Sequence, residues 1–386
     1  MSERKNNERP EPYRLLFPVG IGLGLIGVLP WLSLRLGLGF FTDPIGFHGR
    51  LMFWGFLAAF VAGFLMTAAP KMSGTWAARP WEVAVIGCLL LAHLVVLALF
   101  GIGVGAGVAV LLPAFLLFFL GRRLRHRGQT PPAMFIFVPV GLISGALGLL
   151  MLAGAGALSP EMARFARHLA YDSFILNLIV GLGSRLVPVL SRVQGALSPH
   201  EAGRTRWIHQ LPVLLALNVS FPLEDFVSRP AGQALRAAVL GVVLIRGFRV
   251  FAPRARPGFL SLGLRAAAVM LVVPHFFLPF FPAWELHLLH IVYIGGFSLM
   301  TLMIAVRVVL AHGGEALEFE LHTRALGMIA GTFLIAALVR GLWPLLSPGR
   351  IFDVAAGVSF LWMFALGVWW LKVGRKIQDR LGVFRE

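Results

Sequence analysis

Apolar residues run along this chain in stretches of about 20, the length of helix that crosses a bilayer, and charged residues, Pro and Gly gather in the short segments between them. Such runs predict twelve helices, at 15–34, 48–69, 81–100, 102–120, 134–156, 167–190, 207–223, 232–248, 260–282, 286–310, 323–346 and 351–372. The basic residues orient them. Arg122, Arg123, Arg125 and Arg127 follow the fourth run; Arg192, Arg204 and Arg206 the sixth; Arg246, Arg249, Arg254 and Arg256 the eighth; Lys372, Arg375 and Lys376 the twelfth. All four groups fall on one side. Because cytoplasmic loops carry the Lys/Arg excess, both termini are expected in the cytoplasm, with the acidic loop at Glu224 and Asp225 outside. The organisation predicted is a cytoplasmic tail at 1–14, a twelve-helix membrane domain at 15–372 and a second cytoplasmic tail at 373–386. The first tail mixes both charges with Pro10 and Pro12 and reads as a tail, not a cleaved signal.

Composition narrows the class further. Of 386 residues 58% are hydrophobic and 13% charged, with a mean hydropathy of +0.83, which excludes a water-soluble globule. The fold class is therefore all-α and polytopic, with the lipid bilayer as the first partner. A net charge of +17 does not imply nucleic acid, because the cations sit between apolar runs. The single cysteine, Cys88, excludes intramolecular disulfides, cysteine-based zinc or iron–sulfur sites and covalent haem attachment. A metal must rely on histidine.

Depth sorts the eleven histidines. His48, His168, His287 and His290 fall at the outer ends of the second, sixth and tenth runs, a recurrence every four helices, and His287 and His290 share one helix face. His93 and His275 lie in outer halves and read as packing residues, while His126, His200, His209, His312 and His322 lie toward the cytoplasm. An imidazole in hydrocarbon is costly unless it is paired, hydrated or metal-bound. One such residue is explained equally well by a hydrogen bond to a neighbouring helix. Four at one depth favour a metal or a haem. Arg185, Arg307 and Arg340 also lie inside apolar runs, where Asp172 is the one acid of the sixth. A guanidinium there either binds an anionic ligand group or bonds helix carbonyls at a kink; for Arg185, next to Pro188, both readings stand.

The stretch Phe47-His48-Gly49-Arg50-Leu51-Met52-Phe53-Trp54-Gly55-Phe56, continuing through Gly63 to Pro70, resembles the opening motif of the NnrS family. His290 followed by Gly295-Gly296, Met300-Thr301, Arg307, Leu310 and His312-Gly313 resembles that family's most recognisable signature, and Gly183 to Pro188 resembles its Gly-Arg-x-x-Pro element. The resemblance implies a twelve-span bacterial inner-membrane protein that binds haem and copper and is associated with denitrification and resistance to nitric oxide. It carries metal-ligand roles to His48, His290, His312 and His322, and Arg307 matches the same motif. Arg50 and Leu51 stand where the family's opening His-x-His-Glu has its second histidine and its glutamate, which weakens copper more than haem. The recurrence also resembles the catalytic subunit of haem-copper oxidases, three arcs of four helices in which the second and tenth spans hold a haem. The seventh run lacks the adjacent His pair that copper needs there.

The function expected is thus an NnrS-like haem protein of the nitric oxide response, with His48 and His290 on a haem b near the outer face. His287 or His168 is the expected second ligand or distal group, Arg185 and Arg307 are further cofactor contacts, and Phe47, Met52, Phe53, Trp54 and Phe56 line the slot. Two rivals remain: a secondary transporter moving a small anion past Arg185, Arg307 and Arg340, and a structural subunit of a respiratory complex. No reaction is assigned.

Overall fold

The computed structural model describes residues 11–196, 207–313 and 318–378. Helix accounts for the described residues almost throughout; the only strand-like pairing among them is an isolated bridge between Val193 and Arg254. We number the long helices α1 Tyr13–Arg35, α2 Pro44–Ser73, α3 Pro80–Arg125, α4 Ala133–Ala153, α5 Pro160–Leu190, α6 Leu211–Phe226, α7 Arg229–Val242, α8 Phe259–Phe277, α9 Pro282–Ala311, α10 Arg324–Leu346 and α11 Ile351–Ile377. Nine of these, all but α6 and α7, are long and apolar enough to cross a membrane. The predicted runs at 81–100 and 102–120 form the single 46-residue segment α3, and those at 207–223 and 232–248 form the shorter pair α6 and α7.

The helix starts are written in local chemistry. Asp43 accepts from the Gly46 amide at 2.8 Å ahead of Pro44, and Ser159 accepts from Met162 at 3.2 Å ahead of Pro160. Gly74, at φ 63°, closes α2 in the left-handed conformation that a helix end favours. Within α3, Gly101 adopts φ 82° and ψ −174°, a region open to glycine alone, so the segment folds into two limbs. His93 holds the limbs together by donating Nδ1–H to the Gly105 carbonyl at 3.0 Å. That is the packing role expected of it.

Neighbours in sequence pack as neighbours in space, and α11 returns against α1, so the helices close on themselves. Tryptophans tie distant helices at places where the surrounding side chains are apolar. Trp54 donates to the Ala170 carbonyl at 3.1 Å and stacks on Phe174 at 4.4 Å; Trp362 donates to Gly24 at 3.1 Å; Trp369 donates to Leu302 at 3.3 Å. A wide apolar surface that includes Leu99, Phe100, Leu215, Val219 and Phe360 stays uncovered, as a lipid-facing belt does.

Two features set the positions of the histidine-bearing helices. The α-helical pattern gives way to a π-turn at Met52–Leu57, His168–Ser173 and Val292–Ser298, at or just beyond His48, His168 and His290 respectively. Each π-turn inserts a residue and re-aims the side chains that follow, a device common at functional sites. Gly148 lets α4 approach α5 at its π-turn: a Cβ there would lie 2.3 Å from the Ala170 nitrogen and 2.6 Å from the Ala166 oxygen.

At the opposite end of the bundle, Arg123 forks onto Glu82 at 2.8 and 3.1 Å, both side chains being buried. Glu82→Gln leaves that guanidinium without its counter-charge and is expected to cost about 3–5 kcal/mol. Gly148→Val must push α4 from α5 and is expected to cost about 1–3 kcal/mol or more. Thermal unfolding of the detergent-solubilised variants beside the unsubstituted protein measures both.

Candidate functional site

A cavity of about 410 Å³ opens at the His48 end of the bundle, within the roughly 300–1,000 Å³ span of ligand pockets. Its walls come from α1 (Val28, Trp31), α2 (Ile45 to Leu57), α5 (Arg167, Tyr171), α9 (Leu286 to Ser298), α10 (Arg340) and α11 (Ile351 to Trp362). These helices lie far apart in sequence, and the ring-like closure of the bundle brings them to one space.

His48 and His290 both face it. His48 Nδ1 lies 2.8 Å from the Gly27 carbonyl and His290 Nδ1 lies 2.6 Å from the Leu286 carbonyl. A carbonyl only accepts, so each Nδ1 carries the hydrogen and each neutral ring keeps its free lone pair on Nε2. A backbone carbonyl on one ring nitrogen is also what steadies a metal-binding histidine and fixes its tautomer. Trp31 meets the His48 ring edge-on at 5.1 Å and restricts its rotation further. On the remaining walls Phe53 packs between Tyr171 at 4.8 Å and Tyr293 at 5.1 Å.

The cavity is positive. Arg50, Arg167 and Arg340 line it, and no Asp or Glu does. Arg50 and Arg340 are each only 7% exposed, yet among the described residues none of the three guanidiniums joins a carboxylate, and Arg50 Nε has no hydrogen-bond partner. Arg340 is aimed by His287, whose Nδ1 accepts from its Nη1 at 3.1 Å. Buried cations without counter-charges are costly, so the cavity favours a ligand that brings negative groups of its own. The nearby acid, Asp172, is already used: Tyr293 donates its hydroxyl to Asp172 at 3.0 Å.

Of the residues singled out in the sequence, only some meet here. His287 serves Arg340 and is not a cavity wall. His168 does not face the cavity either; its Nδ1 lies 2.7 Å from Asp225, which Arg164 also binds at 2.7 Å. Beside it, Glu224 accepts from Arg236 at 2.5 Å and from Gln233 at 2.9 Å, and Glu285 pairs with Arg229. His168, Glu224 and Glu285 place one ligand atom each within 4.8 Å of one another, the one such grouping among the described residues.

Arg185 lies in a separate cavity at the Arg123 end, and Arg307 binds Glu320 at 2.5 Å, as Arg192 does at 2.8 Å. Neither arginine reaches His48. His312, whose side chain lies outside the described residues, follows His290 by 22 positions along one helix, about 33 Å of rise. His322 is exposed beyond it. That length of helix separates His312 from His290, and His322 lies in the separate helix Glu318–His322, near the Glu320 that Arg307 binds. Among the aromatics, Met52 and Phe53 line the cavity as expected; Phe47 instead packs on Phe41 at 4.8 Å, Trp54 on Phe174, and Phe56 on Trp362 at 5.1 Å. His275 is a packing residue, donating to the Leu271 carbonyl at 2.8 Å.

Sequence reasoning missed Arg167, Tyr171, Tyr293, Trp31 and Trp362, and gave Arg340 and Arg50 no place at the histidines. Arg340 carried a usable signal, a charge inside an apolar run at the depth of His290. Arg50 stood two residues from His48 and Arg167 next to His168, but neither position shows which way its side chain faces; the aromatic residues carried no signal, because such residues recur throughout the apolar runs.

No curated protein matches the chain. The family model described as NnrS protein matches residues 9–379. With nearly the whole length covered, and with His48 and His290 of the two most recognisable motifs facing one cavity, the chain belongs to the NnrS family.

Proposed function

We propose that this protein crosses the bacterial inner membrane twelve times, with both termini in the cytoplasm, and holds a b-type haem near the outer face as part of a response to nitric oxide. The observation that carries the reading is the His48–His290 cavity: two imidazoles whose Nδ1 hydrogens are committed to carbonyls, an apolar slot, and three guanidiniums with no carboxylate among them. Twelve passes follow if the two limbs of α3 each cross and the α6–α7 pair crosses twice, which returns the basic loops to one side.

The residues fit the group. Nε2 of His48 and of His290 supplies nitrogen for iron, Phe53, Tyr171, Tyr293 and Trp362 supply flat apolar walls, and Arg50, Arg167 and Arg340 supply charge for two propionates. When bound, haem supplies an iron that ligates nitric oxide or exchanges an electron. The chain's own part is to hold both imidazoles neutral and oriented, to exclude bulk water with the aromatic walls, and to hold Arg340 through His287.

Copper draws less support. The His168, Glu224 and Glu285 grouping offers one nitrogen, and both carboxylates already bind arginines. A shared anion path also lacks support, because Arg340 lies at one end of the bundle and Arg185 and Arg307 at the other.

Protein purified from haem-replete cells is expected to show a Soret band that shifts when a nitric oxide donor is added. The band should be lost or strongly weakened in His48→Ala and in His290→Ala and retained in His312→Ala and His322→Ala. A colourless preparation sinks the haem assignment, and a band indifferent to the donor sinks the nitric oxide assignment alone. Arg340→Gln is expected to keep the band but release haem to excess apomyoglobin roughly tenfold faster, the loss of one charge-assisted contact.

A further inference from the structure

The Gly183-Ser184-Arg185-Leu186-Val187-Pro188 stretch plays no part in the haem reading, yet it borders a second cavity of about 210 Å³ at the Arg123 end. The two explanations open for Arg185 were an anionic ligand and a bond to helix carbonyls at a kink. Among the described residues the Arg185 side chain makes no hydrogen bond and no ion pair, so the second is not realised. The same cavity is lined by Arg246 and Arg249, with no Asp or Glu among the described residues that border it.

The three cations are brought there by built contacts. Gly247 closes the π-turn Val243–Gly247 that continues α7 and lets it approach α5 so closely that a Cβ on Gly247 would lie 2.7 Å from Ser184 Oγ, which sets Arg246 beside Arg185. Arg249, itself in the left-handed region at φ 51°, donates to the Gly195 and Gln194 carbonyls at 2.8 and 3.1 Å, so its position is held by the loop that follows α5. Arg246 has no partner among the described residues. Ser184 and Gln210 add uncharged polar groups, while Met134 and Val189 form an apolar side.

We propose that this cleft binds a phosphate group. Three guanidiniums around a small space suit a tetrahedral anion with several charged oxygens, and Arg binds phosphate oxygens in pairs. The proposed orientation puts the cleft at the cytoplasmic leaflet, where anionic headgroups meet basic pockets between helices, and Met134 and Val189 would lie against the glycerol end of a lipid. The phosphate belongs either to such a headgroup or to a soluble ion. The inference takes its leaflet from the orientation proposed above and is independent of haem.

Native mass spectrometry of the purified full-length protein, given equal amounts of phosphatidylglycerol and phosphatidylcholine, tests the first source. Thermal unfolding with and without inorganic phosphate tests the second. Arg185→Gln and Arg246→Gln are compared with Arg375→Gln, an exposed cation of the same end that does not line the cleft. Preferential retention of phosphatidylglycerol that falls roughly tenfold in the first two variants and not in the third establishes a headgroup site. Phosphate-induced stabilisation lost in the same two variants, without lipid preference, establishes a soluble-phosphate site. Arg246 is exposed, so its variant keeps the test valid if Arg185→Gln fails to fold. Binding of neither probe, or binding that survives both substitutions, overturns the proposal.

Discussion

Inside a bilayer no water is available to bond a polar group, so each must find its partner within the protein. Most of this bundle obeys that constraint. The indoles of Trp54, Trp362 and Trp369 donate to carbonyls of other helices, Thr67 and Ser359 return their hydroxyls to carbonyls four residues back, and Glu82, Glu224 and Asp225 each hold an arginine. The places where cations meet without a carboxylate are therefore informative. Arg50, Arg167 and Arg340 gather without acids in one cavity, and Arg185 and Arg246 do so in another.

Backbone geometry and site chemistry meet at the π-turns. An ordinary helix carries side chains round by a constant angle, so a histidine near its end and an aromatic residue a turn below have a fixed relation. The added residue at Met52–Leu57 and at Val292–Ser298 changes that relation just below His48 and His290. Phe53, Tyr293 and Ile294 then face the same space as the imidazoles. The π-turn at His168–Ser173 accompanies a different outcome. Tyr171 joins the cavity while His168 turns to Asp225, so one helix serves both the apolar slot and the charged cluster beside it.

The two ends of the bundle divide the chemistry. At the His48 end, imidazoles and guanidiniums share a largely apolar space, suited to a flat ligand that carries charge on its rim. At the other end, ion pairs such as Arg307–Glu320 and Arg123–Glu82 tie helix ends to one another, while the Arg185 cleft gathers cations with no acid among the described residues that line it. About 33 Å of continuous helix between His290 and His312 keeps the two chemistries apart.

Membrane class, helical content and the place of His48 and His290 near the starts of their helices were determined by sequence, because apolar run length acts locally and needs no knowledge of packing. The same local signals marked Arg340 as anomalous. Which buried groups face one another was decided only by the tertiary structure. Nothing in the order of residues distinguishes His168, bound to Asp225, from His290, bound to a carbonyl of its own helix, since the difference depends on how α5 and α9 are rotated and on which neighbours they meet. Arg307 matched a motif and lay at a plausible depth, yet Glu320, from beyond the end of its helix, already held it. A span's depth follows from its own sequence, whereas the direction a side chain faces is set by the helices packed around it.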